Sequence, residues 1–216
     1  MLRGVHLMST PSDTTAALLA LGAATVGESG GQPMRPRIAA AWPGARVAGP
    51  AFPARCTPGD NLAIHAAVAS APEGSVLAVD VGIARDFGYW GEVLTTAAEA
   101  RGIAGLVIDG CVRDVAAITG HGFPVFATGI ALRGATKQLP GAVGKTAEVG
   151  DVNVHAGDWM VGDADGVAVV RIGDLDDVLA AGRERAERES KLFDALGAGA
   201  TTVELLNLDT SLIDGA

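Results

Sequence analysis

Apolar positions along this chain switch between a helical period near 3.6 and short continuous runs. Residues 16–21 (AALLAL) follow the cluster Ser12-Asp13-Thr14-Thr15, which reads as an N-cap for a first helix. Residues 22–36 are rich in glycine and read as a connecting loop. A β-like stretch spans 46–56, and the turn 57–60 (TPGD) lets Asp60 or Asn61 cap a helix over 62–69. Residues 75–80 (SVLAVD) and 104–108 (AGLVI) are short apolar runs that read as buried strands. Each ends at an aspartate, Asp80 and Asp109, which stand either at equivalent strand ends or as caps of their own turns. Residues 124–127 give another strand, 147–154 an irregular β segment, and 167–170 a last strand after the turn 162–166. A polar helix, with Arg and Glu alternating, covers about 174–196.

The stretch 88–114, GYWGEVLTTAAEARGIAGLVIDGCVRD, organises the rest. A glycine-bracketed aromatic loop, 88–91, runs into a helical pattern opening at Glu92 and ended by Gly102. The strand 104–108 follows, and Arg113-Asp114 opens the next helix. An α/β unit of this kind brings the loop before its helix and the loop after its strand to one sheet edge, where open α/β sheets bind small ligands.

Composition narrows the class. The 216 residues, 49% hydrophobic and 19% charged, suit one domain with a real core. A formal net charge of −9 gives no electrostatic support to a nucleic-acid or membrane-surface role. The N-terminal MLRGVHLMSTPSD lacks a signal peptide's apolar core, so the expected location is cytoplasmic. Cys56 and Cys111 form no CxxC and read as small buried residues. Asp163 and Asp165 miss the spacing of a calcium loop and read as a turn. His65 and His121 lack a metal-spaced partner and read as structural.

The chemistry concentrates at Glu92, Arg113 and Asp114. Arg offers a planar, bidentate grip on a carboxylate. Asp is a hard oxygen ligand for Mg²⁺ or Mn²⁺, sufficient alone where water and substrate fill the other positions. The amides of Gly91, Glu92, Val93 and Leu94 at a helix N-terminus form an anion site. Together they suit a small 2-oxo acid chelating a metal. From spacing alone, a surface Arg-Asp pair and a first-turn helix glutamate are the simpler account.

The same residues resemble the class II, divalent-metal-dependent pyruvate aldolases of the RraA-like family, the 4-hydroxy-4-methyl-2-oxoglutarate / 4-carboxy-4-hydroxy-2-oxoadipate aldolases. The shared signature is an acidic residue, twenty intervening residues, then Arg-Asp; here 113 − 92 = 21, leaving twenty between. Similar stretches are 42–49 (WPGARVAG), the 58–61 turn with His65, 122–125 (GFPV), and 157–167, so the likeness spans roughly 14–196. It implies a single-domain α/β sandwich of αββα type, like the swivelling phosphohistidine domain, over 1–216. It implies Asp114 as ligand to Mg²⁺ or Mn²⁺, and Arg113 on the keto oxygen and enolate. It implies that the amides of residues 91–94 hold the pyruvate carboxylate, with Glu92 ordering a water for proton transfer. The implied substrates are 2-oxo acids: pyruvate, oxaloacetate and a hydroxy-oxo diacid. A homotrimer or homohexamer is implied, with the C-terminal helix at a subunit interface and Glu187 or Glu189 reaching a neighbour's site. The family also contains regulators of ribonuclease E that act by protein contact without catalysis.

Overall fold

The computed structural model describes residues 10–214. The opening segment read above as lacking a signal-peptide core lies, over residues 1–9, outside the described residues. The helices are α1 (Pro11–Glu28), α2 (Leu62–Ser70), α3 (Glu92–Glu99), α4 (Val115–His121), α5 (Leu175–Gly197) and α6 (Thr202–Leu205). The strands are β1 (Gln32–Pro33), β2 (Ala39–Ala40), β3 (Val47–Arg55), β4 (Val76–Asp80), β5 (Gly105–Ile108), β6 (Cys111–Val112) and β7 (Val125–Ala127). They continue with β8 (Gly129–Ile130), β9 (Ala142–Val143), β10 (Ala147–Val149), β11 (Val152–Val154), β12 (Trp159–Asp163) and β13 (Gly166–Val170).

One mixed sheet runs β1-β13-β12-β3-β4-β5-β7-β2, with β9 against the far half of β3. The β3-β4-β5-β7 portion is parallel; β12, β13 and β1 add antiparallel strands. Both faces of the parallel portion are buried. Leu77 and Val79 of β4 enter one core with Ile64 of α2, Leu94 of α3 and Ile118 of α4. Val76 and Ala78 enter a second core, closed by Val149 and Val154 of the β10–β11 hairpin. Strands buried on two faces need unbroken apolar runs, which is why SVLAVD and AGLVI stand out. A third core joins α1 and α5 to β12 and β13 through Leu18, Val26, Val178 and Leu179. Among the described residues, no helix is long and apolar enough to cross a membrane.

Two expectations need correction. The first helix starts at Pro11 rather than after the 12–15 cluster, because Thr10 and Asp13 form the capping box. Half of the expected loop 22–36 is helical: the chain breaks at Gly22 (φ 78°) and resumes through Glu28. Asp163 Oδ2 accepts the Ala23 N–H at 2.8 Å and so caps the second segment. Its Oδ1 accepts the Asp165 N–H, giving the turn expected there.

Asp80 and Asp109 do occupy equivalent strand ends, since Val79 pairs with Ile108 in parallel register. Their partners differ. Asp80 Oδ1 caps its own turn through the Gly82 N–H. Asp109, 3% exposed, accepts from Arg37, Arg85 and the Gly150 N–H, tying the hairpin to the strand ends. Burial pushes the Asp109 carboxyl upward, but the two guanidinium groups and the amide outweigh it and hold it below its ordinary value of 3.8. Burial likewise opposes ionisation of Asp60, yet the donors around it bring it down to about 2. A carboxyl depressed on folding contributes stability that is present above its unfolded value and lost as pH falls through the folded one. Thermal melts are therefore expected to hold level above about pH 5 and to fall steeply below about pH 4. Asp109→Asn should melt lower at neutral pH and show a shallower acid decline, which a pH series of melting temperatures reads directly.

Candidate active site

The loop 88–91 is fixed by its aromatics. Tyr89 and Trp90 are fully buried. The Tyr89 hydroxyl accepts from the Gly59 N–H and donates to the Ala84 carbonyl, and Asn61 Nδ2 donates to the Tyr89 carbonyl at 2.8 Å. Trp90 stacks on Phe123 and donates its indole N–H to Thr95 Oγ1. Two buried rings of this size anchor a loop strongly, since each removes 150–250 Å² from water. The chain then enters α3 at Glu92 with no side-chain cap from Gly91, leaving the Val93 and Leu94 amides of the first turn open.

Arg113 and Asp114 arrive beside this helix end from β6. The Arg113 N–H donates to the Trp90 carbonyl at 2.8 Å, and Trp90 bridges Val112, so loop and strand run side by side. The Arg113 side chain crosses a floor of glycines. A Cβ at Gly88 would stand 3.0 Å from Arg113 Cδ, one at Gly91 3.2 Å from Cγ, and one at Gly134 3.3 Å from Nη1. Asp114 takes the left-handed conformation (φ 56°, ψ 35°), which Asp tolerates better than most residues. That geometry turns its carboxylate onto α3: Oδ2 accepts the Glu92 N–H at 3.2 Å and lies 3.6 Å from Arg113 Nε. A Cβ at Gly91 would run into the same Oδ2, so a side chain at residue 91 would push the Asp114 carboxylate off the α3 terminus.

A cleft of about 160 Å³ collects these groups. Gly91, Val93, Leu94, Arg113 and Asp114 all line it, and Glu92 contributes its amide to Asp114. The Glu92 carboxylate is 58% exposed and lies 3.8 Å from His121 Nε2, whose Nδ1 bonds Glu99 Oε2 at 2.8 Å. Glu187 and Glu189 do not line this chain's cleft. Glu189 pairs with Arg185, Glu187 is exposed, and past Gly182 none of the α5 residues is buried.

Three further polar side chains line the cleft without having been singled out for it: Asn61, His65 and Lys137. Asn61 Oδ1 and His65 Nε2 are buried without hydrogen-bond partners among the described residues. Burial, with the Lys137 cation near it, lowers the His65 pKa and favours the neutral ring. His65, expected to be structural, stands on the cleft wall. Its sequence signal was its spacing from the 58–61 turn, one helical turn past Asn61. Lys137 sits in a polar loop that carries no local signal. The cysteines, expected to be buried, are free and only half-buried, and burial pushes the Cys56 thiol up to about 12.

Among the described residues, no group of three or more His, Cys, Asp or Glu side chains is placed to hold a metal. The available donor is one half-exposed carboxylate facing a polar cleft. A hard, mostly hydrated cation such as Mg²⁺ or Mn²⁺ fits a single oxygen ligand of this kind; a tetrahedral zinc site does not.

A family model described as RraA-like, Aldolase/RraA, matches residues 15–169. A protein of Halalkalibacterium halodurans named "Putative 4-hydroxy-4-methyl-2-oxoglutarate aldolase" is 34% identical over 147 residues, covering 68% of this chain and 70% of that one. The crystal structure of an uncharacterized protein from Pseudomonas syringae pv. tomato superposes with a TM-score of 0.79 at 27% identity, covering 93% of this chain and all of that one. The structure of the RNA-processing inhibitor RraA from Thermus thermophilis gives a TM-score of 0.60 at 26% identity, covering 65% of this chain and 85% of that one.

Proposed function

Because the chain belongs to the RraA-like, Aldolase/RraA family, we propose that it is a lyase that generates pyruvate through its enolate. The reaction is aldol cleavage of a 4-hydroxy-2-oxo diacid, with oxaloacetate decarboxylation as a second route to the same enolate. The observation that carries this reading is the placement of Arg113 and Asp114 against the open amides of α3 in one cleft.

Each group has a distinct task. The Val93 and Leu94 amides at the α3 terminus receive the pyruvate carboxylate, helped by the helix dipole. Arg113 donates to the 2-keto oxygen and holds the negative charge that develops there. Lys137, on the same cleft, meets the distal carboxylate that both substrates carry. Glu92 orders a water that exchanges a proton with C3, its carboxylate steadied on the far side by His121. Asp114 would hold Mg²⁺ or Mn²⁺ through Oδ1, for which no hydrogen bond is found among the described residues. The cation, when bound, supplies Lewis-acid stabilisation of the enolate. Glu187 or Glu189 of a second copy completes the site's outer edge in a trimer or hexamer.

The test is pyruvate release from oxaloacetate with added Mg²⁺, followed by coupled reduction of the pyruvate. Turnover above the metal-only rate, abolished by EDTA and restored by Mg²⁺ or Mn²⁺, is the expected result. Its absence on oxaloacetate and on hydroxy-oxo diacids alike would leave the reading of a protein-binding regulator without catalysis; the Thermus protein is named an RNA-processing inhibitor.

A further inference from the structure

The cleft's second cation stands on a loop with little support of its own. Residues 136–139 are all exposed. What holds them is Asp60, 1% exposed at the turn before α2. Its Oδ2 accepts from Thr136 Oγ1 at 2.7 Å, the Gln138 N–H at 2.5 Å and the Leu139 N–H at 3.1 Å. Its Oδ1 accepts the Leu62 N–H at 2.8 Å, anchoring the carboxylate to α2. The backbone adds Asn61 N–H to the Thr136 carbonyl and Thr136 N–H to the Gly59 carbonyl, each at 2.9 Å. Lys137 stands between two of the bonded residues, lines the cleft, and pairs with no carboxylate among the described residues.

We propose that Asp60 is a positioning residue: by gathering the 136–139 loop onto one carboxylate it fixes where the Lys137 ammonium meets the substrate's distal carboxylate. Three donors converging on one oxygen require an anionic acceptor. An amide there must turn its NH₂ group either toward those donors or toward the Leu62 N–H, and one set of bonds is lost. The loop then moves as a unit, and the lysine with it. Arg113, Asp114 and the α3 amides are held by other bonds, so the loss falls on substrate grip rather than on the chemical step. This rests on the lyase reading above.

The experiment is a double-mutant cycle on oxaloacetate with Mg²⁺, using Asp60→Asn, Lys137→Met and the pair. Asp60→Asn is expected to raise KM about tenfold, the scale of one charge-assisted hydrogen bond, with kcat changed far less. In the Lys137→Met background the same substitution should change KM less than about twofold, because its effect runs through the missing ammonium. A residue acting only on the fold would lower kcat and would multiply the Lys137→Met loss unchanged; either result overturns the proposal. Should Asp60→Asn not fold, Thr136→Val removes one of the three donors and is judged the same way: a KM rise in the wild-type background that vanishes without Lys137 supports the proposal, and an equal rise in both overturns it. If the wild-type protein shows no turnover, the lyase reading itself has failed, a result distinct from either of these.

Discussion

Arg113→Ala is expected to lower kcat on oxaloacetate by about two to three powers of ten, the effect of removing one preorganised donor to a developing oxyanion. The structure explains why the cost should fall on catalysis rather than folding. The side chain is 45% exposed and lies over Gly88, Gly91 and Gly134, none of which depends on it for packing. The backbone N–H that pairs with the Trp90 carbonyl survives the change. The melting temperature should therefore move little. Metal affinity should be kept or slightly raised, because the guanidinium is a competing cation 3.6 Å from Asp114 Oδ2. Arg113→Lys should recover only part of the rate, since a point charge lacks the planar fork. Wild-type kcat in Arg113→Ala, with Mn²⁺ binding measured alongside, would remove Arg113 from the mechanism.

Asp114→Asn should reduce turnover to the level seen with EDTA, a loss of about a thousandfold if the cation supplies several kcal/mol of charge stabilisation. Asn is the apt replacement because it tolerates the left-handed backbone at this position. Its carbonyl oxygen can still accept the Glu92 N–H, so α3 keeps its cap and the fold its stability. Asp114→Ala conflates two effects, since it also puts alanine at φ 56°, a strain of about 1–2 kcal/mol. A titration of Mn²⁺ against both variants separates them: binding should weaken in each, while the melting temperature falls mainly in the alanine variant. Undiminished Mg²⁺-dependent turnover in Asp114→Asn would show that the cation is held elsewhere.

The parts of this fold that could be read along the chain are those governed by local rules. Residues 75–80 and 104–108 announce buried parallel strands because both faces are covered, leaving no polar alternation. Glu92 opens a helix because a glycine loop ends before it, and Gly102 closes the turn after it at φ 67°. The kinked α1 was half hidden because Gly22 to Gly31 carries the composition of a loop. Its second segment is helical only because Asp163, 140 positions later, caps Ala23 and because Ala23 and Val26 find a core. Glycine density is a local signal, and tertiary burial overrode it.

The candidate site divides in the same way. Sequence by itself placed the glycine loop before α3 and Arg113-Asp114 after a strand at the same edge, and the resemblance, rather than the spacing, marked that pair as more than a surface ion pair. The placement follows from backbone geometry over a few dozen residues once the helix and strand form. Only the tertiary structure decided that Asp114 turns back onto the α3 amides, that the Glu92 carboxylate leans toward His121, and that Asn61, His65 and Lys137 share the cleft. Those contacts join segments up to 76 positions apart, as from residue 61 to residue 137. Their energy comes from burial and from converging donors, quantities that exist only after distant segments have packed.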